Sequence, residues 1–152
     1  MVDAMLGRLA RWLRILGFDT GYEADIADGR LVRRAVDEGR AILTRDRRLP
    51  EEWRVSGVYM VKGERPVEQM REVVEEFGLA PRVRLFTRCN RCNGVLMPAE
   101  KGEAAAAVPR RVLASDETLQ RCPGCGRFYW SGSHVARMRR IVEQVLDRAG
   151  DE

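Results

Sequence analysis

Two sets of side chains in this sequence could do chemistry. The first is the full complement of four cysteines. They stand as Cys89-Asn90-Arg91-Cys92 and Cys122-Pro123-Gly124-Cys125. Two thiolates three positions apart can grip one ion where the chain turns tightly, and two such turns complete a tetrahedral shell around Zn²⁺. A closed four-sulfur shell has no open position, so the expected role is structural: it supplies folding energy to a small module. Gly94 and Gly126 follow the pairs, where small residues let backbone amides turn toward sulfur. The second set is acidic: Asp3, Asp28 and Asp46. Gathered in one place, such acids do not all ionise cheaply without a cation. Mg²⁺ or Mn²⁺ held by carboxylates would relieve that, orient a phosphate and activate a water. Asp28 equally suits a helix N-cap, and Asp46 a turn.

The elements that must position these residues are legible as periodicity. Residues 4–17 carry Leu6, Leu9, Ala10, Leu13 and Leu16 on one stripe, the mark of an amphipathic helix ended by Gly17. Met1 and Val2 form at most a strand stump, with Asp3 at its end. Residues 18–22 read as a second short strand. Leu31, Val32, Ala35 and Val36 give a helix over 29–38, and Ala41 to Thr44 a buried strand ending just before Asp46. A short helix near Pro50, a strand over 58–61 and a helix over 66–77 follow. This alternation predicts an α/β unit, a mostly parallel sheet covered by helices, over residues 1–81. Sites in such sheets gather beyond the carboxyl ends of strands, where Asp46 would lie. Residues 82–152 form the second unit: a cysteine-bearing ribbon with turn residues, then a helix over 134–148. Ala104 to Ala107 reads as a loop tip or a frayed turn.

The chain has 152 residues with a net charge of +4. Residues 1–80 hold 14 basic and 15 acidic residues, while residues 81–152 hold 13 and 8. A basic half suits a polyanion such as nucleic acid. Arg8, Arg11 and Arg14 recur on the first helix, and with Arg45 they are candidate phosphate contacts, because guanidinium forks match phosphate oxygens. No stretch is apolar enough for a membrane span, and no signal-peptide pattern opens the chain. A cytoplasmic protein is expected, where four cysteines bind metal rather than form disulfides.

Four stretches occur in order: Asp3-Ala4-Met5-Leu6-Gly7-Arg8-Leu9-Ala10-Arg11-Trp12-Leu13-Arg14; Gly39-Arg40 through Leu43-Thr44-Arg45-Asp46; the two cysteine pairs; and Tyr129-Trp130-Ser131-Gly132-Ser133-His134. Together they resemble the Mut-seven C-terminal RNase domain family over nearly the whole chain. The resemblance implies a PIN-like nuclease fold joined to a zinc ribbon, and metal-dependent cleavage of RNA by Asp3, Asp28 and Asp46. Asp28 is preferred over nearby Asp25 because it begins a helix, and Glu64 is a candidate fourth acid. The family's first strand is longer than the two residues that precede Asp3 here. His134, the single histidine, and Tyr129 and Trp130 are expected to pack rather than react. The rival reading is a catalytically inert zinc-ribbon module that binds RNA or a protein. A toxin-like nuclease would need a small protein inhibitor as partner. Oligomeric state is left open by the sequence.

Overall fold

The computed structural model describes residues 1–149. A 3-10 turn, Ala4–Leu6, leads into α1, Gly7–Ile15. Then come α2 (Asp28–Asp37), β1 (Ile42–Thr44), α3 (Arg48–Trp53), β2 (Val58–Met60) and α4 (Pro66–Glu76). A second 3-10 turn, Ala80–Arg82, precedes β3 (Met97–Ala99), α5 (Arg110–Leu113), β4 (Leu119–Arg121), β5 (Phe128–Trp130) and α6 (Ser133–Ala149). The result is a mixed α/β chain with one small parallel sheet and one antiparallel sheet.

β1 and β2 run parallel, with Leu43 opposite Tyr59, and Val61 N–H closes the ladder on Thr44 O at 2.8 Å. The stump before Asp3 adds a third, shorter rung. Val2 bridges Leu43 in parallel, Leu43 N–H donates to Met1 O and Asp3 N–H to Leu43 O, both at 2.9 Å. The strand expected over 18–22 does not form. Its trace there is one bond, Val2 N–H to Gly21 O at 2.9 Å, because Thr20 N–H is taken by the Asn93 side chain.

Alternate residues of a strand face opposite sides. Leu43 accordingly joins a core with Val2 and the buried faces of α1, α4 and α6, while Ile42 joins Met1, α2 and α3 on the other side. Leu9 and Leu16 of the first helical stripe are fully buried, each worth about 1.5–3 kcal/mol. Val36, expected inside, stands 62% exposed. Val142 and Val145 of α6 enter the first core, where α6 packs on α4.

The antiparallel sheet runs β3-β4-β5. It carries its own small core of Val108, Val112, Leu119 and Ala104. The alanine run is a turn that buries Ala104 and leaves Ala105 to Ala107 exposed.

Candidate active site and metal centre

Asp3 leaves the stump at the carboxyl end of the parallel sheet, and its side chain is only 8% exposed. The Thr44 hydroxyl donates to Asp3 Oδ2 at 2.6 Å. The same Oγ1 accepts Asp46 N–H at 2.9 Å. One buried hydroxyl thus ties the first acid to the backbone of the third. Asp46 Oδ1 accepts Arg48 N–H at 2.9 Å, opening α3. That amide, and then the Arg48 guanidinium, hold the Asp46 carboxyl below the usual range. Sequence reasoning placed Thr44 in the strand without a role. The signal was a polar residue ending an otherwise apolar buried strand.

Asp28 is the first residue of α2, and the N-cap position belongs to Ala27, which makes no side-chain capping bond. The N-cap role considered for Asp28 is therefore corrected. Asp28 is close enough to Arg48 that its charge strengthens that guanidinium's hold on its proton. Asp3 and Asp46 are thus joined through Thr44, Asp28 is linked to them only through the charge of Arg48, and the three are not closed on one another. Among the described residues, only the four cysteines bring three or more metal-capable ligand atoms all within 4.8 Å.

Ala4 and Arg45, the chain neighbours of Asp3 and Asp46, line a basic surface. An open cleft of about 700 Å³ is lined by Met5, Arg8, Arg11, Arg45 and Glu64. A second hollow, of about 440 Å³, joins Arg45 and Arg47 to Lys62 beyond the end of β2. Tyr22 lies across the start of α1 and donates to Ala4 O at 3.0 Å. A side chain at Gly7 would strike it, since a Cβ there would lie 2.4 Å from the Tyr22 hydroxyl.

Arg14 departs from the phosphate role expected of it. It is 3% exposed. Its Nε donates to Thr20 O at 2.9 Å and its Nη1 to Arg91 O at 2.8 Å. Three helical residues turn the chain about 300°, so each step of the Arg8, Arg11, Arg14 row falls about 60° short of a full turn. The row drifts off the solvent face, and its last member reaches the first cysteine turn instead.

The four sulfurs form the second site. Cys89 Sγ lies 3.6 Å from Cys125 Sγ, and Cys92 Sγ 3.3 Å from Cys122 Sγ. A tetrahedral shell with Zn–S bonds of about 2.3 Å needs sulfurs about 3.8 Å apart, so the group can hold a structural metal such as zinc. The two turns repeat each other. Asn93 N–H donates to Cys89 O, as Gly126 N–H does to Cys122 O. Asn93 and Gly126 share left-handed φ values of +72° and +74°. The position given to Gly94 by the sequence is thus held by Asn93, a residue that tolerates this conformation. Its side chain explains the choice: Oδ1 accepts Thr20 N–H at 2.9 Å and Nδ2 donates to Asp19 at 2.7 Å. Gly94 stands instead against the metal site, where a Cβ would come 3.0 Å from Cys122 Sγ. Burial opposes a thiolate at Cys89, but the Tyr129 hydroxyl and the amides of Cys92 and Arg91 outweigh it and bring the thiol down to about 6.

Tyr129 lies in β5 with its hydroxyl 3.0 Å from both Cys89 Sγ and Asn90 Oδ1, which compete for its single proton. Trp130 packs on the ribbon core. His134 is exposed near the start of α6.

No helix among the described residues is long and apolar enough to cross a membrane. No characterised protein and no solved structure matches this sequence. A family model, described as the Mut7-C RNAse domain, matches residues 1–142. That span takes in the acids, the basic cleft and both cysteine turns, and the chain belongs to the Mut7-C RNAse domain family.

Proposed function

We propose that this protein is a divalent-metal-dependent ribonuclease that hydrolyses RNA phosphodiester bonds with Asp3, Asp28 and Asp46, on a PIN-like unit braced by a zinc ribbon. The observation that carries this reading is the link from Asp3 through Thr44 to Asp46, beside an arginine-lined cleft, in a chain of an RNase domain family. A cytoplasmic setting suits four cysteines gathered around a metal rather than paired as disulfides.

The donor set fits Mg²⁺ or Mn²⁺. Asp3 offers a nearly buried carboxylate that accepts one neutral hydrogen bond, from Thr44. Mg²⁺ keeps several waters and commonly takes only one or two carboxylates, so separate acids need not all touch it. Asp3 and Asp46 would be its direct ligands, and Asp28 would act through water. When bound, the ion neutralises phosphate charge and lowers the pKa of a water in the site. The chain's own residues do the rest. Thr44 fixes one Asp3 oxygen and leaves the other free to serve as a ligand. Asp46, kept ionised by Arg48, would help hold the ion; as the water oxygen bonds to phosphorus its proton passes to solvent, and the leaving oxygen takes a proton from solvent. Arg8, Arg11 and Arg45 hold flanking phosphates so that the water faces the P–O bond that breaks, and the leaving oxygen departs on the side away from it. Zinc in the cysteine site takes no part in the reaction.

Cleavage of a labelled RNA with Mn²⁺ or EDTA tests this on wild type and Asp46→Asn together. Wild type should cut with Mn²⁺ and stop with EDTA. The variant should fold and bind RNA but cut about a hundredfold more slowly or worse, the scale of losing one transition-state stabiliser. A folded variant with undiminished turnover removes Asp46 from the mechanism. RNA binding with no cleavage at any metal concentration leaves the inert binding module as the correct reading.

A further inference from the structure

Trp53 ends α3 with 45% of its surface exposed, an unusual place for the largest side chain. It belongs to neither core of the α/β unit. Its indole lies over the first turn of α2 instead, where a Cβ added to Gly29 would sit 2.7 Å from Trp53 Cη2. Gly29 is the neighbour of Asp28, and α3 begins two residues after Asp46. The ring is therefore held between the elements that carry two of the three acids. Arg47 and Arg48 at the start of α3 and Arg54 just after it are exposed, as are Glu51 and Glu52 before Trp53, and Glu52 is near enough to support the charge of Arg48. An exposed indole on a helix flanked at both ends by exposed arginines has the chemistry of a base-stacking platform: the arginines meet the backbone and the ring meets a base. Bases in a duplex are already stacked and turn no free face outward, so the platform selects single strands.

We propose that Trp53 stacks on a nucleobase of single-stranded RNA and so positions the strand across the acids. This rests on the reading of the acid rim as the RNA-cleaving centre, and it adds the substrate class. Trp53 is a positioning residue here. The glycine beneath it is part of the device, because any side chain at position 29 lifts the ring from its seat.

Binding is measured by fluorescence anisotropy without added Mg²⁺ or Mn²⁺ and without chelator, so that affinity is read apart from cleavage and the zinc stays in place. The probes are a short unstructured RNA, an abasic ribose-phosphate strand of equal length and an RNA duplex. The proteins are wild type, Trp53→Ala, Trp53→Phe and Gly29→Ala, each checked for a cooperative thermal transition. Trp53→Ala should weaken the unstructured RNA about tenfold, within the range measured for base–aromatic stacking, and leave the abasic strand unchanged. Trp53→Phe should recover most of that loss. Gly29→Ala should unfold at the same or a higher temperature, since alanine favours the helix, and yet bind the unstructured RNA more weakly. Equal affinity of Trp53→Ala and wild type for that RNA overturns the proposal, as does an equal loss on the abasic strand, which would make Trp53 a prop for the arginines. A wild type that binds none of the probes overturns the ribonuclease reading as well. Trp53-dependent binding, with full turnover by Asp46→Asn, supports the platform and sinks only the assigned role of Asp46.

Discussion

A fully buried threonine hydroxyl serves two acids at once in this protein. Thr44 gives its proton to Asp3 and receives that of the Asp46 amide. Both bonds vanish in Thr44→Val, which keeps the shape of the side chain. Asp3 would then keep its burial and lose its partner, which costs about 1–3 kcal/mol for an unsatisfied polar group. Activity should fall further than stability, because the carboxylate is no longer aimed. Thr44→Ser keeps the hydroxyl and should restore most of the activity, with only the loss of a methyl in stability. Urea unfolding and RNA cleavage on the three proteins decide the matter. Equal turnover by Thr44→Val and wild type would make the hydroxyl a matter of packing alone.

At the scale of elements, the basic edge depends on a glutamate in α4. Glu72 accepts Lys62 N–H at 2.9 Å, Gly63 N–H at 2.8 Å and the Tyr59 hydroxyl at 3.0 Å, and so pins the chain where it leaves β2. Burial works to raise its pKa, but the two amides and the hydroxyl outweigh burial and bring it below the usual value. A carboxyl depressed in the folded state stabilises the fold above its unfolded pKa, about 4.3 for glutamate. That contribution fades as pH falls from there through the lower folded value. Glu72→Gln should therefore lose stability at neutral pH and show a flatter fall in acid. Urea midpoints followed from neutral to acid pH read both effects, and parallel curves for the two proteins would refute the role. The elements themselves were mostly legible in the sequence, for a physical reason. Helices such as α1 and α4 declare themselves through a stripe repeated over several turns. The strands have three residues each, too few for a period to emerge, so β1 shows only as an apolar run and the stretch 18–22 resembles a strand that does not form. Asn93 escaped because its left-handed turn is usually a glycine's, and a glycine stood one residue later.

At the scale of the whole molecule, the two sites are parts of one packed body. Asp3, Asp46 and the cysteine pairs could be proposed from residue type and spacing; the tie between them could not, because it runs through side chains far apart in the chain. Arg14 is the main tie. Its guanidinium binds Thr20 O on one side and the carbonyls of Asn90 and Arg91 on the other. Asn93 adds two bonds, to Thr20 and Asp19, and Gly21 next to Thr20 holds the strand that ends in Asp3. α6 closes the circuit by returning from the ribbon to pack on α4. Metal bound by the four cysteines should therefore stabilise more than the ribbon. One zinc per chain is expected from elemental analysis, and a strong chelator should lower the thermal midpoint of the entire chain in a single transition, since the binding energy of a structural zinc is folding energy. Cys92→Ser should mimic the chelator. Arg14→Met should retain the zinc, because no ligand is lost, yet melt earlier and uncouple the ribbon, so that chelation of this variant unfolds residues 82–130 with the α/β core still intact. Hydrogen exchange resolved by segment distinguishes the two patterns, and a wild type whose core amides keep full protection after zinc removal would show that the ribbon folds on its own account.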